Sequence, residues 1–131
     1  ISVLKALTDG LGGRIKAALE ASLRLDPKHA EAHIALGAYH AEVVDKMGGM
    51  VAKLTYGVSR EIALKHFDAA LKLLPESAIA RIEYANALVL LFGDKRMDDA
   101  IDFYEIAAAA TPADAMEKLD VELAKSELEE E

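Results

Sequence analysis

The stretch Glu61 to Leu74 reads EIALKHFDAALKLL, and it decides the fold. Its apolar residues Ala63, Leu64, Phe67, Ala70, Leu71 and Leu74 fall at i, i+1, i+4, i+7, i+8 and i+11, the stripe of an amphipathic helix. The same offsets recur outward from it. In Asp99 to Thr111, DAIDFYEIAAAAT, they hold Ala100, Ile101, Tyr104, Ala107 and Ala108. In Arg14 to Asp26, RIKAALEASLRLD, they hold Ile15, Leu19, Ser22 and Leu23, with Lys16 as one polar substitution.

The chain has three prolines, and each follows one of these segments at the same distance. Ser22, Ala70 and Ala107 stand five residues before Pro27, Pro75 and Pro112. A small residue there lets a neighbouring helix approach. The proline is expected to open the next helix, where its missing N–H leaves no bond unmade, with Asp26 and Thr111 as N-caps. A second kind of helix is predicted after the prolines: His29 to Met47, with Leu36, Gly37 and His40, and Ala78 to Phe92, with Tyr84, Ala85 and Leu88. Gly48 and Gly93 read as C-terminal stops, and Ser59 and Asp98 as caps of the helices that follow.

These residue types resemble the tetratricopeptide repeat, a helix–turn–helix unit of about 34 residues. Leu36, Gly37, His40, Ala63, Phe67, Ala70 and Pro75 carry the resemblance in one unit. Tyr84, Ala85, Leu88, Ala100, Tyr104, Ala107 and Pro112 carry it in the next. The resemblance implies an all-α fold, a right-handed α-α superhelix of helix hairpins closed by a C-terminal capping helix. It divides one domain, 1–131, into a truncated first repeat (1–29), a second repeat (30–77) with an insertion at about 48–57, a third (78–112) and a capping helix (113–131). The second repeat is long because 48 residues separate Pro27 from Pro75, against 37 from Pro75 to Pro112. His33 and Arg81 stand where the family has a large packing residue. Arg81 cannot pack as an aromatic does, so a splayed or differently capped array is expected there.

Composition sets the function classes. The 131 residues are 53% hydrophobic, enough to bury a core, and carry a net charge of −8. That charge disfavours nucleic acid and anionic membranes and favours a basic partner. Without cysteine there is no thiolate chemistry and no disulfide. No apolar run reaches the eighteen or so residues that a membrane span needs. The sequence begins at Ile1 rather than Met, so further residues, and with them any signal peptide, are expected upstream. Cytoplasm and bacterial periplasm both stand open.

No catalytic constellation is legible, and the chain reads as a non-enzyme without cofactor. Gly10, Gly12 and Gly13 lack the Lys–Ser/Thr of a phosphate loop, and the serines sit on separate elements. His29, His33 and His40 lie near one helix face, but they occupy helix-start and packing positions, so a zinc site is not expected.

In the resembled family the first helix of each pair lines a concave groove. Carried over, its positions are Glu31, Ile34, Ala38, Ala41 and Glu42, then Ile79, Ile82, Asn86, Val89 and Leu90. Asn86 matches the family's carboxylate clamp for chaperone tails, but the basic residues of that clamp are missing. The insertion GGMVAKLTYG is apolar for a surface loop, and loops this long tend to function or to pack. Met50, Leu54 and Tyr56 are expected to form a lip beside Ile82 and Leu90. The candidate partner-binding residues are therefore Ile34, Ala38, Met50, Leu54, Tyr56, Ile79, Ile82, Asn86 and Leu90. The groove is closed by the chain's own loop or last helix, or it receives a partner. The function expected is a noncatalytic scaffold that binds a protein or peptide segment. One alternative is a soluble accessory protein for a small apolar ligand, similar to the tetratricopeptide proteins of bacterial solute transporters. Another is a self-associating module, a homo-oligomer built through uncovered stacking faces.

Overall fold

A computed structural model describes residues 10–110 and 115–130, with side chains at 10–110 and 119–129. Six helices of three turns or more run through the described residues, and there is no strand among them. They are α1 (Leu11–Leu25), α2 (Ala30–Met47), α3 (Arg60–Leu73), α4 (Ala78–Phe92), α5 (Met97–Ala109) and α6 (Ala115–Glu130). The stripe in Glu61 to Leu74 is thus helical, and its Ala63, Phe67 and Ala70 are buried.

Pairing follows chain order. The broadest contacts join α2 to α3 and α4 to α5, and α2 also packs along α4. Helix α1 lies on α2, and α6 covers parts of α5 and α4. Helix α4 therefore touches α2, α3, α5 and α6, which is why it is apolar on nearly all sides, as a central helix must be. Ile82 and Leu88 are wholly buried within it; each contributes about 1.5–3 kcal/mol through the area removed from water.

An aromatic ladder crosses three helices. Phe67 of α3 stacks on Tyr84 of α4 at 5.0 Å between centroids, and Tyr84 stacks on Phe103 of α5 at 4.7 Å. The Tyr84 hydroxyl donates to Asp68 Oδ1 at 2.8 Å, so its polar end is paired while the ring stays dry.

Pro27 and Pro75 sit in turns and not at the first position of a helix. Asp26 and Leu74 are the C-caps of α1 and α3. The N–H of His29 then donates to the Asp26 carbonyl at 3.1 Å, and that of Ser77 to the Leu74 carbonyl at 3.1 Å. Each proline is the second residue of a four-residue turn, where its fixed φ suits the bend. The N-caps of α2 and α4 are consequently His29 and Ser77, whose side chains accept from the N–H groups of Ala32 and Ala80. Asp26 is not an N-cap; its Oδ1 accepts from the Lys28 N–H inside the turn. Asp98 is likewise no cap, because α5 begins at Met97 and places Asp98 in the first turn, where its charge suits the helix dipole. Ser59 does cap α3, accepting from the Ile62 N–H. Thr111, Pro112 and the chain just after them lie outside the described residues.

His33 and Arg81 each stand four residues after these N-caps, and both reach back to the turn. His33 Nε2 lies 3.0 Å from the Pro27 carbonyl oxygen, and Arg81 Nη1 donates to that of Pro75. At both positions a polar side chain holds the turn.

Between α2 and α3 the chain makes one helical turn at Gly49–Val51, a π-helical turn at Ala52–Tyr56, and a glycine stop at Gly57 with φ 66°. Ala52 and Val58 anchor this insertion in the core, joined by a Val58 N–H to Ala52 carbonyl bond of 3.2 Å.

Candidate functional site

Helices α2 and α4 run side by side and leave a half-open cavity of about 100 Å³ between them. Ala38, Ala41 and Glu42 line it from α2; Glu83, Asn86, Ala87 and Leu90 line it from α4. Each set follows one helix stripe, i, i+3, i+4 on α2 and i, i+3, i+4, i+7 on α4, so the groove is a direct product of helical periodicity. The small alanine side chains leave room for the groove. Leu90, 37% exposed, supplies an apolar wall.

The chemistry of the groove is acidic. Burial pushes the Glu83 carboxyl above its usual range, and the charges of Asp120 on α6 and Glu42 on α2 push it the same way. Three helices thus bring carboxylates to one place. A cationic group entering there offsets their repulsion and so gains affinity from all three. Asn86 is oriented from behind, since its Oδ1 accepts from the Tyr104 hydroxyl of α5.

Sequence reasoning located part of this site. Ala38, Asn86 and Leu90, three of the candidate partner-binding residues, are brought together at the cavity. Ile34 and Ile82 do not line it: they are 9% and 0% exposed, drawn into the core where α2, α4 and their neighbours close over them. Ile79 is half-buried against the same core and is also absent from the lining. Met50, Leu54 and Tyr56 do not wall the cavity either. The insertion packs on α2, with Met50 and Leu54 turned to solvent at 78% and 79% exposure. Tyr56 is half-buried and close enough to Tyr39 of α2 to add to the burial that raises the Tyr39 pKa. Glu83 was not singled out from sequence. It lies three residues before Asn86 and seven before Leu90, so the stripe itself could have indicated it.

A second polar cluster lies between α2 and α3. The ring centroids of His33 and His66 are 5.2 Å apart, and those of His40 and His66 5.9 Å. His40 is 1% exposed, and its Nδ1 accepts from the Ser59 N–H at 3.1 Å, tying the end of the insertion to α2. Burial lowers its pKa to about 4, helped by the nearby His66 and Lys16. His66 is shifted down for the same first reason, with His33 adding to it. His29 stands apart as the cap of α2. Among the described residues no group of three or more His, Cys, Asp or Glu side chains is placed to hold a metal ion. None of the described helices is long and apolar enough to cross a membrane.

Comparison with known protein families, with characterised proteins and with solved structures finds no match for this chain.

Proposed function

We propose that this chain is a noncatalytic interaction module of the tetratricopeptide kind, a right-handed superhelix of helix pairs. On this reading it holds a segment of a partner protein in the groove between α2 and α4. The repeat reading is supported by the pairing of α2 with α3 and of α4 with α5, by the contact of α2 with α4, and by the two equivalent proline turns. The partner segment presents a lysine or arginine beside an apolar side chain. One observation carries this: Glu42 and Glu83 line an open cavity with Ala38 and Leu90, and Asp120 acts on Glu83 from α6.

The size of this groove suits a side chain better than a free ligand, although a wider hollow of about 470 Å³ lies among Glu76, Arg81, Ile106, Ala109 and Ala110. Pockets that enclose small molecules hold about 300–1,000 Å³. About 100 Å³ suits the end of one side chain. The exposed Met50 and Leu54 lie outside this groove and give the module a separate apolar edge.

Panning a displayed random-peptide library against the full chain tests the proposal. Enrichment of peptides with Lys or Arg next to Leu, Met or Phe, lost when the panning is repeated on Glu83→Lys, supports it. Enrichment of acidic peptides, or of any class that survives Glu83→Lys, contradicts it.

A further inference from the structure

The histidine cluster carries an inference independent of the groove. His33 Nδ1 and His66 Nδ1 lie 3.0 Å apart, a hydrogen-bond distance. One nitrogen must carry the hydrogen and the other a lone pair. His33 Nε2 sits 3.0 Å from the Pro27 carbonyl, which only accepts, so the His33 hydrogen is on Nε2 and its Nδ1 is bare. His66 therefore donates from Nδ1. Two imidazoles from different helices thus face each other through their Nδ1 atoms, and one of the two is already oriented by a backbone carbonyl.

We propose that His33 and His66 form a two-imidazole binding site for a borderline transition-metal ion of the Cu²⁺ or Zn²⁺ class, bound between the two Nδ1 atoms. The geometry is close to what such an ion needs. With metal–nitrogen bonds of about 2.0–2.1 Å and a tetrahedral angle, the two nitrogens stand about 3.3 Å apart. The pair opens by about 0.3 Å from its 3.0 Å separation. The hydrogen on His66 Nδ1 moves to its Nε2, so both rings stay neutral and each offers one lone pair. The Pro27 carbonyl supplies the outer hydrogen bond that ligating histidines make, fixing the His33 tautomer. Both rings are half-buried, which leaves a side open for the ion to enter and for water to complete its coordination.

Burial, with His33 beside it, disfavours a proton on His66, which leaves the neutral ring that an ion needs. The Glu20 carboxylate of α1 acts on His66 in the direction that favours a cation. Glu20 is itself paired with Lys16 at 3.1 Å. His40 is no ligand at its Nδ1, which the Ser59 N–H occupies. Nitrogen donors without a carboxylate in the first shell select Cu²⁺, Ni²⁺ and Zn²⁺ and pass over Mg²⁺ and Ca²⁺.

Calorimetric titration of the chelator-stripped full chain with CuCl₂, ZnCl₂ and MgCl₂ at pH 7.5 tests this. The proposal expects one ion per chain, Cu²⁺ tighter than Zn²⁺, Kd for Zn²⁺ below about 100 μM, and no Mg²⁺ heat. His33→Ala and His66→Phe, the second of which keeps the ring's bulk, each weaken Zn²⁺ binding by about tenfold or more, while His29→Ala leaves it unchanged. Nitrogen-detected NMR of the unsubstituted chain gives a readout that does not depend on variant folding. Zinc is expected to shift Nδ1 of His33 and His66 and to leave His40 Nδ1 in place. Absence of Zn²⁺ and Cu²⁺ binding up to millimolar concentration overturns the proposal, as does binding retained in both variants or shifts confined to other histidines.

Discussion

The backbone of Gly37 rests against the ring of Phe67: a Cβ at position 37 would stand 2.7 Å from Phe67 Cε2. Helix α2 approaches α3 this closely because position 37 has no side chain. The ring has nowhere to retreat, since it is wholly buried and stacked on Tyr84. Gly37→Ala gains up to about 1 kcal/mol of helix propensity but overpacks the contact by about 1–3 kcal/mol. The net expectation is a lower urea midpoint with an unchanged m-value. A raised midpoint would show that the two helices separate freely.

Phe67→Ala removes the first rung of the aromatic ladder and leaves a hole under Gly37. A loss of about 3–5 kcal/mol is expected, against less than about 1.5 kcal/mol for a volume-conserving change such as Leu64→Met on the same helix. Chemical denaturation of the two variants side by side measures the difference.

Acid destabilises the fold through the histidine cluster. An unfolded histidine takes up a proton near pH 6.5, whereas folded His40 resists until about pH 4 because it is buried, beside His66 and Lys16. The stability that neutral His40 contributes is complete above pH 6.5 and is lost progressively as pH falls from 6.5 toward 4. A fall from 6.5 to about 4 corresponds to about 3–4 kcal/mol. Lowered His66 adds in the same direction. Glu83 acts oppositely, because its raised pKa makes protonation favour the folded state. The measurement is the urea midpoint from pH 7.5 to 5 in chelator. A His40→Gln variant is expected to show a shallower fall than the unsubstituted chain; equal slopes would refute the assignment.

Glu83→Gln removes a carboxylate that burial, Asp120 and Glu42 all penalise. Its thermal midpoint at pH 7 is expected to rise above that of the unsubstituted chain, while affinity for a basic peptide falls. Stability and binding move apart only if Glu83 serves the groove. If both fall together, Glu83 supports the fold instead.

Much of the architecture was legible because it rests on local periodicity. The stripes around Phe67 and Tyr104, the cap at Ser59 and the glycine stops at Gly48 and Gly93 all appear in the structure. Pro27 and Pro75 were expected at the first helical position, but that position falls three residues later, at Ala30 and Ala78. A proline suits the first position of a helix and the second of a turn equally well, and only the hydrogen bonds of His29 and Ser77 distinguish the two. The groove was half legible. A stripe tells which side of α4 faces α2 but not how deep each residue lies, so Ile82 and Leu90 read alike although one is buried and the other open. The insertion looked like a wall of the groove because it is apolar. Its direction is set by the buried Ala52 and Val58 and by the bond from Ser59 to His40, none of which has a local signature. His33 and His66 meet from positions 33 residues apart, beyond any helical spacing.

An NMR footprint of the groove between α2 and α4 shows whether a basic partner segment binds there. Titrating the labelled chain with a panned Lys- or Arg-containing peptide should shift Ala38, Glu42, Glu83, Asn86 and Leu90 first. The shifts should vanish in Glu83→Lys. Shifts centred on Met50 to Tyr56, with the α2 and α4 groove residues unmoved, would contradict the account.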